Sequence, residues 1–172
     1  MCSLASDLML LPYASSATMR PMAAPVIDAE RLARPGDEGA RLVRVAFVTP
    51  TLLRDAGENV TVPSFGPLVR RLRVRLGALA TFFGAGELGD DAKELAAGAD
   101  RVELRSTDTR WQHEQRHSTR TGQRHPLAGM IGEAVYAGEL GRFLPMLRLG
   151  ELLHVGKHAS FGLGRIEVSV LG

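Results

Sequence analysis

Apolar and polar residues alternate from Val43 to Phe47, with Arg44 and Ala46 between Val43, Val45 and Phe47. That period of two predicts a half-buried strand. Thr49-Pro50-Thr51 is expected to end it, because proline cannot donate to a strand ladder. Asp55 to Pro63, with Gly57, reads as a loop. From Phe65 to Phe83 the period changes. Leu68, Leu72, Leu76, Leu79 and Phe83 repeat at three- and four-residue steps and predict a helix with one apolar stripe. Arg70 and Arg73 fall away from that stripe, and Arg71 and Arg75 border it. Gly84-Ala85-Gly86 is a stop signal.

Asp90 to Ala97 predicts a short helical turn. Arg101 to Arg105, with Val102 and Leu104 inward, predicts a second strand running toward Trp111. Arg110 to His125 is polar and basic and is expected to be a loop. Met130 to Ala137 predicts a third strand, with Gly129 and Gly132 marking a bulge. Phe143 to Leu152 predicts a second helix with Pro145 in its first turn, where the missing N–H does no harm. Ile166, Val168 and Val170 alternate with Arg165, Glu167 and Ser169 as a fourth strand. The order is strand, helix, strand, strand, helix, strand. The expected fold class is α+β: a ferredoxin-like βαββαβ unit, its antiparallel sheet carrying two helices on one face.

Residues 1–40 show no sustained period, and Arg34-Pro35-Gly36-Asp37-Glu38-Gly39 is a turn or linker signal. They read as an irregular extension, or as the remnant of a larger N-terminal domain. Residues 41–172 form the expected domain. In 172 residues there is room for one ordinary domain plus an extension.

Composition adds three things. A 45% hydrophobic content allows a core, and 5% aromatic residues make it mainly aliphatic. The net charge is +2, yet 19 of the 21 basic residues are arginine. Either a GC-rich genome or bidentate phosphate recognition gives that ratio. Cys2 is the single cysteine, which excludes an internal disulfide and fits a reducing, cytoplasmic setting. No apolar run reaches the roughly 20 residues of a membrane-spanning helix, and no basic segment precedes Leu8–Pro12 to make a signal peptide.

The candidate chemistry lies in Gly156-Lys157-His158-Ala159-Ser160-Phe161-Gly162-Leu163-Gly164-Arg165. Glycines Gly156, Gly162 and Gly164 permit positive φ and close backbone approach, and Lys157, His158, Ser160 and Arg165 supply donors. Such a loop is either a flexible helix-to-strand connector or a phosphate contact. It is not a nucleotide loop of the P-loop or Rossmann type, because those follow a strand and open a helix. Arg116 and Arg120 add cations in the polar stretch. His113, His117 and His125 there read as solvated, and His154 reads as a helix C-terminal cap. No zinc-ligand spacing is present.

Several blocks together resemble the C-terminal region of the CRISPR-associated RAMP endoribonucleases that process precursor CRISPR RNA. They are Phe47-Val48-Thr49-Pro50-Thr51, Pro63-Ser64-Phe65, Trp111 with Arg116-His117-Ser118, and Pro126 through Gly132. Leu144-Pro145-Met146-Leu147, Gly150-Glu151, and Leu153 through Arg165 complete the set. The resemblance covers Val43 to Leu171. It implies a RAMP-type ferredoxin-like fold that binds the precursor CRISPR RNA repeat in antiviral defence. It also implies cleavage without metal or other cofactor, the upstream 2′-hydroxyl attacking the adjacent phosphate to leave a cyclic phosphate end.

By that resemblance the RNA-binding set is Gly156, Lys157, His158, Ser160, Gly162, Gly164, Arg165, Arg116 and Arg120. Family members carry another ferredoxin-like domain ahead of this one, with their usual catalytic histidine. Here some forty residues precede Leu42 and no histidine precedes His113. The catalytic residues therefore stay unassigned, with His158 the one candidate in the loop. The expected roles are the C-terminal domain of such an enzyme, a non-catalytic RNA-binding subunit of a CRISPR effector complex, or an inactive truncated fragment. The expected partners are the repeat RNA, other effector subunits or a separate N-terminal half, and no membrane.

Overall fold

The structure is a computed structural model that describes residue 34 and residues 37–83, 90–117 and 124–171. The helix stop at Gly84–Gly86, the cation Arg120 and most of the segment 1–40 lie outside the described residues. Strand β1 spans Leu42–Thr51, β2 Arg54–Asp55, β3 Glu58–Asn59, helix α1 Phe65–Phe82 and helix α2 Asp90–Gly98. Strands β4 (Glu103–His117) and β5 (Arg124–Ala137) follow, then helix α3 (Leu144–Leu153) and strand β6 (Ile166–Val170).

The main sheet has the order β4-β5-β1-β6, and all its pairs are antiparallel. The α+β ferredoxin-like expectation holds. Val43, Val45 and Phe47 of β1 turn inward with Ala134 and Tyr136 of β5 and Ile166 and Val168 of β6. They meet Phe65, Leu68, Val69 and Leu72 of α1 and Leu144 and Leu147 of α3 in one core. Phe65 joins the layers, its ring centroid 4.9 Å from that of Tyr136 and 5.1 Å from Phe143. The Tyr136 hydroxyl donates to the Pro63 carbonyl at 2.6 Å, so this buried phenol is paired.

Four local expectations are corrected. First, β1 runs through Pro50 to Thr51. The pairing of β1 with β5 shifts between Phe47 and Thr51, and β1 pairs with β6 only as far as Phe47. Pro50 sits in that irregularity, where no ladder bond is asked of its nitrogen. Second, Asp55 to Pro63 is not simply a loop, because β2 and β3 pair around Ala56 and Gly57, both at positive φ. Third, the α1 stripe stops short. Leu68 and Leu72 are buried, Leu76 and Leu79 half-buried, and Phe83 exposed, because the helix outruns the core beneath it.

Fourth, the polar stretch Arg110–His125 is mostly strand. β4 and β5 pair continuously from Arg110 opposite Ile131 to His117 opposite Arg124. Hydrophobic patterning fails here because the last β1 partner of β5 is Met130, and the hairpin continues past the end of that pairing. Beyond Met130 the described residues offer one large apolar side chain, Leu127, which is buried, and one residue sets no period.

The turn signal at Arg34–Gly39 is real and tied to the core. The Asp37 side chain accepts from the Arg34 N–H at 3.0 Å, and the Asp37 N–H donates to the Arg34 carbonyl at 3.0 Å. Asp37 also reaches Arg148 of α3, which is 3% exposed, at 3.3 Å. Arg148 donates to the Val168 carbonyl at 2.5 Å and lies 3.6 Å from Glu151, whose carboxylate accepts from the Val168 N–H. This ionic cluster joins the N-terminal turn, α3 and β6.

Candidate nucleic-acid interface

The loop Gly156–Arg165 lies between α3 and β6 and is fastened to the far end of β1. Lys157 N–H donates to the Leu52 carbonyl at 2.9 Å, and Gly164 N–H to the Pro50 carbonyl at 3.1 Å. Val48 N–H takes the Arg165 carbonyl at 2.9 Å, and Val155 N–H takes that of Gly164 at 2.8 Å. Thr49 adds a side chain: its hydroxyl donates to the Gly162 carbonyl at 3.3 Å and accepts from the Arg165 N–H at 2.9 Å. The loop is therefore a built element. Both ends of the loop are held on β1 by these bonds.

The three glycines do different jobs. Gly156 (φ +85°) faces the Leu52 carbonyl, and a β-carbon would stand 2.5 Å from that oxygen. Gly164 (φ +74°) leaves even less room, because its β-carbon would run into the Val155 carbonyl. Gly162 (φ +83°) has open space around it, so only its backbone conformation demands glycine. Two of the three thus exist to seat the loop on the sheet. Gly162 is exposed, but its own N–H donates to the Ala159 carbonyl at 3.1 Å and its carbonyl accepts from Thr49.

Lys157, Ser160 and Arg165 are exposed, and Arg165 pairs with Glu167 at 2.9 Å. His158 has φ +64°, and its ring stacks on Phe161 at 5.9 Å between centroids. His154 stands at the C-terminal end of α3, but the bond to the helix comes from its backbone N–H, which donates to the Gly150 carbonyl at 2.9 Å, and not from the expected imidazole. Its Nδ1 lies 3.0 Å from the Leu163 carbonyl and must carry the proton there. Arg116 lies on β4 opposite His125 of β5, in the part of the hairpin beyond Met130. His113 is exposed on the same strand, opposite Ala128.

Register brings these parts to one end of the sheet. Thr51 at the end of β1 pairs with Met130, and β5 residues 124–129 continue past it. At about 3.4 Å per residue the hairpin overhangs β1 by roughly 20 Å. The glycine loop is bonded to the same end of β1. A basic two-stranded arm and a glycine loop with exposed donors thus flank one region. Among the described residues no group of three or more His, Cys, Asp or Glu is placed to hold a metal ion, and no helix is long and apolar enough to cross a membrane.

The profile of the CRISPR-associated endoribonuclease Cas6 family matches residues 45–166, which takes in most of β1, both long strands and the whole loop. The chain belongs to the Cas6 family. No curated protein sequence matches it. Among solved structures, a Cas6 (TTHA0078) product complex is similar with a TM-score of 0.57 at 23% identity, over 82% of this chain and 56% of that one. Thermus thermophilus Cas6 (TTHB231) gives a TM-score of 0.55 at 17% identity, over 83% and 58%. A chain of a partial Cas6-RT-Cas1–Cas2 complex gives 0.54 at 18% identity, over 81% and 24%. These likenesses carry the fold. The match of this Cas6-family chain spans just over half the length of the first two.

Sequence reading missed Thr49 as a loop anchor, because a threonine inside a strand pattern carries no sign of which loop will reach it. It also missed a groove beside the loop. Arg54, Arg71, Val74, Arg75, Ala78, Phe82 and Lys157 line it together with Leu52, Leu79 and Gly156. The available signal was a second helical stripe, Val74-Ala78-Phe82, spaced by four residues on the side of α1 away from the core.

Proposed function

We propose that this chain is the repeat-RNA-binding part of a CRISPR RNA-processing endoribonuclease, with residues 41–172 as the RNA-binding domain. One observation carries the reading: the seated glycine loop and the basic β4–β5 arm lie at the same end of the sheet. A folded RNA offers phosphates to both. Lys157 and Ser160 form the loop contact, Gly156 and Gly164 hold it in place, and Arg116, Arg120 and Arg165 supply further positive charge in the sequence.

Cleavage in this reading needs no metal. The upstream 2′-hydroxyl attacks the adjacent phosphorus, a base takes its proton, an acid protonates the leaving 5′-oxygen, and cations stabilise the phosphorane. His158 is the loop imidazole available for proton transfer. A second reading, binding without cleavage, is favoured by the small number of imidazoles near the loop, of which one has a ring nitrogen engaged. His154 is bonded to the Leu163 carbonyl and His158 is stacked on Phe161.

The test is the repeat RNA of the chain's own array, incubated in EDTA and titrated across a salt series. Binding should weaken steeply with salt, each neutralised phosphate adding about 0.7 to the log–log slope on a single strand. One cut leaving a cyclic phosphate, lost in His158→Ala, supports the enzyme. Salt-sensitive binding without a cut supports the RNA-binding subunit. Affinity that is absent, or flat with salt, overturns both.

A further inference from the structure

The groove beside the glycine loop has a volume of about 380 Å³, within the range of small-ligand sites. Its wall on α1 is the strip Val74-Ala78-Phe82, one residue per turn. These are not core residues: Val74 is 54% exposed and Phe82 85% exposed. Its polar rim is cationic, with Arg71, Arg75 and Lys157 around the apolar strip, and no carboxylate among the lining residues. The nearby Asp55 is engaged by Arg70 at 2.7 Å.

The rim arginines are held in place. The Nε of Arg75 donates to the Leu153 carbonyl at 2.5 Å, and the Nε of Arg71 donates to the Arg54 carbonyl. Each bond fixes one edge of a planar guanidinium and leaves its terminal donors for an anion. An apolar protein segment would cover the strip but leave the rim cations without counter-charges. A single nucleic-acid strand supplies a flat aromatic base and a phosphate at every step, which matches the groove on both counts.

We infer that the groove is a further RNA subsite, in which one base of the strand stacks on Phe82 over Val74 and Ala78 while its phosphate meets Arg71 and Arg75. This rests on the RNA-binding reading above. Lys157 lines both the loop and the groove, so a strand leaving the loop enters the groove at Lys157.

The experiment uses the repeat RNA with 4-thiouridine in place of uridine, photo-crosslinked to the full chain, and a fluorescent form of the same RNA for affinity. Crosslinks are expected in the peptide containing residues 74–82. Phe82→Ala should weaken binding about tenfold, as loss of one stacked base does, with the salt slope unchanged. Phe82→Trp should restore it. Arg75→Gln should weaken binding and lower the salt slope by about 0.7. Because Phe82 is exposed, its alanine variant should keep the wild-type unfolding midpoint. If Phe82→Ala and Arg75→Gln bind as wild type while Lys157→Ala binds weakly, the subsite is overturned and the RNA-binding reading stands. If wild type does not bind this RNA, both fall. If Phe82→Ala changes only the mass of the chain in solution, the strip joins two copies and the subsite is overturned.

Discussion

The hydroxyl of Thr49 accepts a hydrogen bond from the backbone N–H of Arg165 at 2.9 Å, across 116 residues of sequence. The same hydroxyl donates to Gly162. One side chain in β1 therefore holds two points near the end of the glycine loop. Thr49→Val keeps the shape and removes both bonds. It should cost about 1 kcal/mol in urea unfolding and weaken RNA binding several-fold, because the loop donors lose their fixed position. Binding equal to wild type would show that Thr49 is not needed to position the loop.

Gly164→Ala and Gly162→Ala should separate two kinds of glycine. Both impose positive φ on a side chain, which costs about 1–2 kcal/mol. Only Gly164→Ala also drives a β-carbon into the Val155 carbonyl. It should therefore be the more destabilising by at least about 1 kcal/mol, the lower end for overpacked sites. Urea midpoints of the two variants, read side by side, decide this. Equal midpoints would contradict the close approach at Gly164.

Arg148→Ala should be among the most damaging single changes. It leaves the buried Asp37 carboxylate with the Arg34 N–H but without its cation, and frees the Val168 carbonyl. Breaking a buried pair from one side costs about 3–5 kcal/mol. Arg148→Met, which fills the space without charge, should remain destabilised while Asp37 keeps its acid. The double variant Asp37→Asn with Arg148→Met should recover part of the loss. Thermal unfolding of the three variants provides the measurement.

The Arg70 guanidinium beside Asp55 holds that carboxyl below the ordinary carboxylate range, chiefly through their hydrogen bonds. A depressed folded-state pKa gives stability that is present above about pH 4 and is lost as pH falls through the lowered value. Asp55 is partly exposed, so the gain is less than about 1 kcal/mol after screening by solvent. Urea unfolding at successive pH values should show wild type losing stability below pH 4 faster than Asp55→Asn. Parallel acid limbs would mean that the Arg70 pair contributes nothing to folding.

Much of this protein was legible from periodicity. Val43, Val45 and Phe47 were placed inward, and so they lie. Leu68 and Leu72, and Leu144 and Leu147, mark the core faces of the two packed helices. Alternation and helical spacing work where one face of an element meets a core, because burial then selects residues at a fixed period. The same reasoning misplaced Arg110–His125, since after Trp111 that stretch holds no apolar residue from which a period could be read. It also carried the α1 stripe to Phe83, since spacing says nothing about where the partner surface ends.

The sequence by itself determined the order of the four sheet strands and the two core helices, the βαββαβ class and the presence of a glycine-rich segment with donors. Each depends on local pattern, which the chain carries residue by residue. Only the tertiary structure decided what the glycines are for. Gly156 and Gly164 answer to the carbonyls of Leu52 and Val155, and the loop answers to Thr49 and Pro50. Strand register, set by pairing between residues far apart in sequence, such as Thr51 with Met130 and Phe47 with Ile166, brought the basic arm and that loop to one end of the sheet. No local pattern encodes such a meeting, because register is a property of two strands and not of either one.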